Sequence, residues 1–384
     1  MPETQKIDTA SPEVVRQINR RVVLNLIRTR QPISRADLAR LSGMQRSTIS
    51  LIVEELLNEK WLVEGDAVPL PRGRRPTFLR LNENRVVIGI DLRPTELTIA
   101  LADINGEFLS KDVIPTPQDP KAALEAIKSR VEKIISLWPR KSIQGIGLSL
   151  PGRVHPETGT LTFAPNLKWV GEDLKAPLAA AFGLPVELEN AANNCVLASL
   201  WFDQPAENFV VLTVSEGIGC GVLVNGRLAR GVNGMAGEFG HVALNPDGPK
   251  CGCGNDGCWE VYGSNRAALR YYAESNPQAA RLTFPDLLRL ADQDDTQAAA
   301  ALDKMAHHLG LGIRMIVTAL APEKIVVIGD LTRSWSRFGQ RIEAVLAART
   351  LPGGHTPQIL PAHQDGLARL RGTVALVLQR HFSA

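Results

Sequence analysis

Residues 85–109 read RVVIGIDLRPTELTIALADINGEFL, and residues 209–228 read FVVLTVSEGIGCGVLVNGRL. Both open as an apolar strand, a short turn and a second apolar strand. In the first, ING at 104–106 closes a further hairpin. Outward from these segments, DPKAALEAIKSRVEKIISLW (119–138) spaces its apolar residues as an amphipathic helix, and IQGIGLSLPGRV (143–154) is a buried strand ending in a Pro-Gly turn. KIVVIGD (324–330) is another buried strand after a long helical stretch. Strands alternating with helices, and an opening used twice, predict two related α/β lobes around a cleft.

The part before residue 85 has a different pattern. Residues 13–80 carry 13 Lys and Arg against 7 Asp and Glu, whereas the whole chain is only +3. A basic front end on a slightly acidic body points to a nucleic-acid-binding module, with a solvated basic surface as the plainer alternative. Val15, Ile18, Val22, Val23, Leu26 and Ile27 recur at helical spacing, and Pro32 ends that helix. Ser34 is placed to cap a short helix carrying Leu38 and Leu41. SGM at 42–44 is a tight turn, and a second helix from about Gln45 to Asn58 buries Ile49, Ile52, Val53, Leu56 and Leu57. Two short helices across a glycine turn are the helix-turn-helix plan. Gln45, Arg46, Ser47, Thr48 and Ser50 open the second helix with side chains suited to base edges and phosphates in a major groove. WLVEG (61–65) and TFLRL (77–81) predict the strands of a wing. Arg72, Arg74 and Arg75 in PRGRRP (71–76) are expected to enter a narrow minor groove or, more plainly, to touch phosphates only.

At 384 residues the chain exceeds one ordinary core, and 44% hydrophobic with 22% charged residues is globular composition. No run reaches the roughly 18–20 apolar residues of a membrane span, and the N-terminus has no secretory pattern, so a cytoplasmic protein is expected. The expected divisions are a disordered arm over 1–12 and a winged head with its basic linker over 13–82. A first lobe over 85–190, completed by a C-terminal helix within 361–384, and a second lobe over 191–360 follow.

The helix-turn-helix, then GID, LPGRV, APNLKW, EGIGCG, GMAGEFGH and CGCGNDGCWE, in that order, resemble the ROK family of repressors, open reading frames and sugar kinases. The resemblance runs from about residue 13 to the end. It implies an actin-like, hexokinase-like two-lobed fold with a sugar in its cleft. Cys251, Cys253 and Cys258 lie within eight residues, and His241 stands ten before the first of them. A Cys₃His set makes a closed tetrahedral zinc site, structural because no open position is left for a reactive water. The family carries zinc at these positions; a reduced, buried cysteine group is the alternative. The resemblance also assigns Asn166, Asn190, Glu238, His241 and Glu260 to the sugar site. Carboxylates accept from vicinal hydroxyls, and amides both donate and accept.

Kinases of the family follow the Asn of an ND-A-N pattern with an acid that takes the hydroxyl proton. Here residues 189–193 are ENAAN, so Ala191 stands at that position. The first phosphate turn, like DxGGTK in those kinases, is DLRPTE (91–96); Glu216 enters the second turn, and IGDLT replaces a double glycine near the last strand. Four departures fall on the nucleotide side while the sugar side stays intact. The expectation is a regulator without enzyme activity, most simply a repressor of carbohydrate uptake or catabolic genes. A sugar or sugar phosphate would release it from operator DNA, and it would act as a homodimer, with a tetramer left open. The alternatives are a sugar kinase with a DNA-binding appendage and a regulator controlled by a protein partner.

Overall fold

The structure, a computed structural model, describes residues 11–65, 77–203, 206–278, 282–348, 354, 356–362 and 366–382. The head opens with α1 (Pro12–Arg30), whose Ser11 cap accepts from the Val14 N–H at 3.3 Å. Val15 and Ile18 do not join a buried stripe: they are 44% and 40% exposed. The first turns of α1 project past the head's core, and burial starts at Val23, Leu24 and Ile27. Next come β1 (Ile33–Ser34), α2 (Arg35–Ser42) and α3 (Arg46–Asn58). Ser34 caps α2, and Gly43 ends it at φ +71°, a left-handed conformation that glycine adopts without strain. Ile49, Ile52, Val53 and Leu56 bury one face of α3. β2 (Leu62–Gly65) and β3 (Phe78–Leu81) pair antiparallel with Leu62 opposite Leu81, and β1 adds to the far side of β3. The head is therefore the winged helix expected.

In the first lobe, β4 (Arg85–Leu92), β5 (Glu96–Asp103) and β6 (Phe108–Pro115) form an antiparallel meander. α4 (Pro120–Leu137) then lays Ala123, Ile127, Val131 and Ile134 on the sheet, and β7 (Ser142–Leu150) returns parallel to β4. A small sheet not foreseen from the sequence follows, made of β8 (Arg153–Val154), β9 (Leu161–Ala164) and β10 (Trp169–Glu172). α5 (Lys175–Phe182) leads to β11 (Val186–Asn190), parallel to β7.

After α6 (Ala191–Phe202), the second lobe repeats the plan with β12 (Phe209–Val214), β13 (Ile218–Val224) and β14 (Arg227–Leu228). α7 (Glu260–Gly263), α8 (Asn265–Ser275), α9 (Phe284–Asp292) and α10 (Thr296–Leu320) precede β15 (Lys324–Ile328), which pairs parallel with β12. α11 (Trp335–Ala347) and β16 (Gln358–Pro361) complete the sheet, and α12 (Ala368–Phe382) ends the described chain. The sheet orders are β11-β7-β4-β5-β6 and β14-β13-β12-β15-β16. Numbered within each lobe, both run fifth-fourth-first-second-third or its reverse, so the twice-used opening marks twice-used topology. β4, β5, β7 and β12 read as nearly continuous apolar runs because both of their faces are buried.

α6 and α12 bind these parts together. Every residue of α6 from Ala191 to Ser199 is buried, as befits a helix enclosed on all sides. α12 lies against β4, β7 and α6. Its approach is so close that a Cβ on Gly147 would meet the Thr373 carbonyl at 2.4 Å. The head docks on the same two helices and on the turn between β5 and β6. Asn25 Nδ2 donates to the Phe382 carbonyl at 2.7 Å, and Gln31 Nε2 to Asn105 Oδ1 at 2.8 Å. Phe382 meets the rings of Trp61 and Trp201 edge-on, with centroids 5.8 and 5.0 Å away, so head and body share one apolar core.

Candidate functional site

His241 ends the 3₁₀ turn Glu238–His241 that follows β14. The next loop is folded by bridges between Ala243 and Cys258 and between Lys250 and Asp256. It brings Cys251, Cys253 and Cys258 to His241, with all four donor atoms within 4.8 Å of one another. Cys253 Sγ lies 3.7 Å from Cys258 Sγ, and Cys251 Sγ lies 3.5 Å from His241 Nδ1. Four donors about 2.0–2.3 Å from one tetrahedral centre stand about 3.5–3.8 Å apart, so the arrangement is compatible with a metal ion. Burial pushes the Cys251 thiol up to about 11 and raises that of Cys258. A divalent cation at the centre would supply the charge that lets such buried thiols ionise. Trp259, next to the last cysteine, is fully buried and donates its indole N–H to the His308 carbonyl at 2.8 Å, anchoring the loop to α10.

His241 and Cys253 of the cluster line a cleft between the lobes that holds about 260 Å³, the small end for a ligand site. Asn166, Asn190, Glu238, His241 and Glu260 all line it. Asn190 ends β11 and caps α6: its Oδ1 accepts from the Ala192 N–H at 2.8 Å, while its Nδ2 donates to the Gly152 carbonyl at 2.6 Å. Glu260 Oε2 accepts from the Ile218 N–H at 3.0 Å, and its Oε1 is 3.7 Å from Cys251 Sγ. With Nδ1 turned to the cysteines, His241 Nε2 faces Glu238 Oε2 at 3.7 Å. Carboxylates and amides from both lobes thus line one polar space.

The same cleft is also lined by Arg93, Pro94, Glu216, Asp330 and Arg369. Arg93 Nε donates to Asp91 Oδ2 at 2.7 Å, and its Nη2 to the Gly366 carbonyl at 3.4 Å. The Arg93 guanidinium is thus held in the turn between β4 and β5. Ala191 lines the cleft at the first position of α6 and is 7% exposed.

In the head, Gln45 is the cap residue of α3, and Gln45, Arg46, Ser47 and Ser50 are exposed, with Thr48 half-buried. The first turn of α3 holds no acid, so its positive end is open to an anion. Arg72, Arg74 and Arg75 fall outside the described residues. Sequence reading passed over Arg153, a cleft residue inside the quoted LPGRV, and Arg28, whose guanidinium donates to the Trp201 carbonyl. Neither has a local signal, because each acts on a partner far along the chain.

The family model described as "ROK family" matches residues 87–380. The chain belongs to the ROK family. Among individual relatives, the xylose repressor of Bacillus spizizenii is 30% identical, with 98% of each chain covered. A solved ROK family transcriptional regulator, described as a homologue of the E. coli MLC protein, superposes with a TM-score of 0.83 at 26% identity, covering 96% of this chain and 98% of that one. A ROK glucokinase from Streptomyces griseus, solved with glucose and AMPPNP, gives a TM-score of 0.69 at 28% identity, covering 77% of this chain and 99% of the kinase. The similarity to the two regulator-type proteins extends over head and body alike.

Proposed function

We propose that this ROK protein is a sugar-responsive DNA-binding transcriptional regulator, a repressor of carbohydrate uptake or catabolic genes that a sugar or sugar phosphate releases from operator DNA. The observation that carries this reading is one helix, α6, with one end in the cleft and the other against the head. Asn190 caps it inside the cleft, and the head's Arg28 donates to the Trp201 carbonyl near its other end. Twelve residues at about 1.5 Å each make a stiff strut of about 18 Å. The full-length likeness to a protein named xylose repressor supports the same reading.

Within it, residues 13–82 are the DNA-binding head, 85–190 with the C-terminal helix the first lobe, and 191–360 the second lobe. Gln45, Arg46, Ser47, Thr48 and Ser50 read or grip the operator, and Arg72, Arg74 and Arg75 enter the minor groove. Asn166, Asn190, Glu238, His241 and Glu260 hold the sugar. His241, Cys251, Cys253 and Cys258 would hold a structural zinc ion. Its contribution when bound is bracing: it fixes the imidazole and the loop so that His241 Nε2 and the neighbouring carboxylates keep their places in the cleft. A cytoplasmic homodimer places two recognition helices on a palindromic site about 34–36 Å apart. Sugar closure of the cleft shifts the heads out of register to the extent that the sugar prefers the closed state.

The likeness to a glucokinase solved with a nucleotide analogue favours a second reading, a sugar kinase carrying a head. Ala191 argues against it, because a methyl group takes no proton and general-base assistance is worth about 10²–10⁴-fold. Titrating sugars and sugar phosphates into the protein–operator complex, followed by fluorescence anisotropy, tests the main reading. One sugar should release the DNA; firm operator binding indifferent to every sugar would count against it.

A further inference from the structure

We propose that Arg153 is a ligand-contacting residue that selects a neutral sugar, its guanidinium and the Glu238 carboxylate clasping adjacent hydroxyls from opposite lobes. This rests on the cleft being a sugar site, as proposed above, and narrows what the site accepts. Arg153 opens β8 in the first lobe. Its backbone is held where its carbonyl accepts from Thr162 Oγ1 at 3.1 Å, next to the Gly152 carbonyl that holds Asn190. From there the side chain crosses to the second lobe, with Nε 3.5 Å from Glu238 Oε1 and Nη1 3.1 Å from Met235 Sδ.

A second pair crosses the cleft in the opposite sense, and the contrast defines the first. Arg230 of the second lobe donates to Glu189 Oε2 of the first at 2.8 Å. Glu189 Oε1 already accepts from Asn193 Nδ2 at 3.0 Å and from the Asn190 N–H at 2.9 Å, and its side chain is only 7% exposed. Both its oxygens are occupied, so that pair is structural. The Arg153–Glu238 pair is longer, and its side chains are 34% and 33% exposed. Such a pair contributes little by itself and exchanges readily for a better partner.

The donor inventory then sets the ligand class. Guanidinium only donates and carboxylate only accepts, whereas every sugar hydroxyl does both. Two adjacent hydroxyls can accept from Arg153 and donate to Glu238, replacing a loose direct contact with a bridge between the lobes. A phosphate or carboxylate placed to reach Arg153 would lie against the Glu238 carboxylate, and the two negative charges repel. The pocket therefore takes a neutral vicinal diol in preference to a charged substituent at this position.

Isothermal titration of the full-length protein with xylose, glucose, N-acetylglucosamine and the phosphates of each tests this, using wild type, Arg153→Met and Arg153→Lys. A neutral sugar should bind wild type more tightly than its phosphate does, and Arg153→Met should weaken it about tenfold or more. Arg153→Lys, which keeps the charge and N–H donors but not the planar fork, should fall between them and serves should the Met variant fail to fold. Neutral-sugar affinity indifferent to both substitutions overturns the role of Arg153 while leaving the sugar site intact. Preference for a phosphate overturns the ligand class. Wild-type protein that binds none of the six overturns the sugar reading and this one with it.

Discussion

Arg28 of α1 stacks its guanidinium 4.4 Å over the indole of Trp201 and donates to the Trp201 backbone carbonyl. The last turn of any helix exposes carbonyls without intrahelical partners and carries partial negative charge. Here the head supplies the cation that satisfies the end of α6. Burial lowers the guanidinium to about 10, so it stays charged at neutral pH with an indole face, a carbonyl and Asn25 Oδ1 around it.

That contact predicts a separable effect of Arg28→Met. Charged hydrogen bonds of this kind contribute about 1.5–3 kcal/mol, and lysine would not restore the planar stacking. We expect stability to fall by that order. Sugar affinity at the cleft should stay within about twofold of wild type, and the sugar should lose its ability to dislodge operator DNA. Anisotropy with and without sugar, beside calorimetric titration of the sugar alone, checks both halves. Full sugar response in the variant would mean that another seam carries the signal.

What the sequence could tell followed from distance along the chain. The α3 stripe, the Gly43 turn and the wing strands were legible because each is a local pattern of a few residues. The Cys251–Cys258 cluster was legible for the same reason, and His241 is only ten residues from it. Periodicity misjudged Val15 and Ile18, since apolar spacing says which face of a helix is oily and nothing about whether a partner reaches it. The pairs Arg28–Trp201 and Arg153–Glu238 join residues 173 and 85 positions apart, so only the fold brings them together. Likewise β8, β9 and β10 lie in a stretch, residues 151–172, where proline and glycine recur, so its local pattern reads as loop.

Metal analysis of protein purified without chelator should find about one zinc per chain. Replacing Cys253, the most exposed of the three cysteines, by Ala should abolish it. A structural zinc contributes several kcal/mol, and a body of this size loses about 2–4 °C of melting temperature per kcal/mol. The variant should therefore melt many degrees lower and bind sugar poorly, because His241 and Glu260 lose their brace. Unaltered melting and sugar binding after metal removal would show that the loop holds itself.

Restoring the missing acid should not restore a kinase. Ala191→Asp places a carboxylate at the N-terminal end of α6, where the helix dipole favours it, at a position that lines the cleft. The variant should fold with stability within about 1 kcal/mol of wild type. Sugar-dependent ADP release should stay at background, since Arg93 still occupies the first turn, paired with Asp91, and Glu216 still lines the cleft. Turnover by this single change would show that the nucleotide end is competent after all.

Acid should loosen the joint between head and body through His381. Burial first, then Arg380, Arg85 and Arg20, lowers its imidazole from 6.5 to about 4. Its Nε2 accepts from Arg380 Nε at 3.0 Å, a bond that protonation forbids, and its ring lies 4.6 Å from that of Trp61 in the head. Between those two values the unfolded chain holds a proton that the folded one does not, so stability rises with pH. The contribution is intact above about 6.5 and drains away toward 4. Screening by solvent around this half-buried ring leaves about 1–2 kcal/mol of it. His381→Phe keeps the ring against Trp61 and removes the proton. Melting temperatures from pH 7.5 to 5 should fall more steeply for wild type than for the variant, and parallel curves would clear His381 of any part in it.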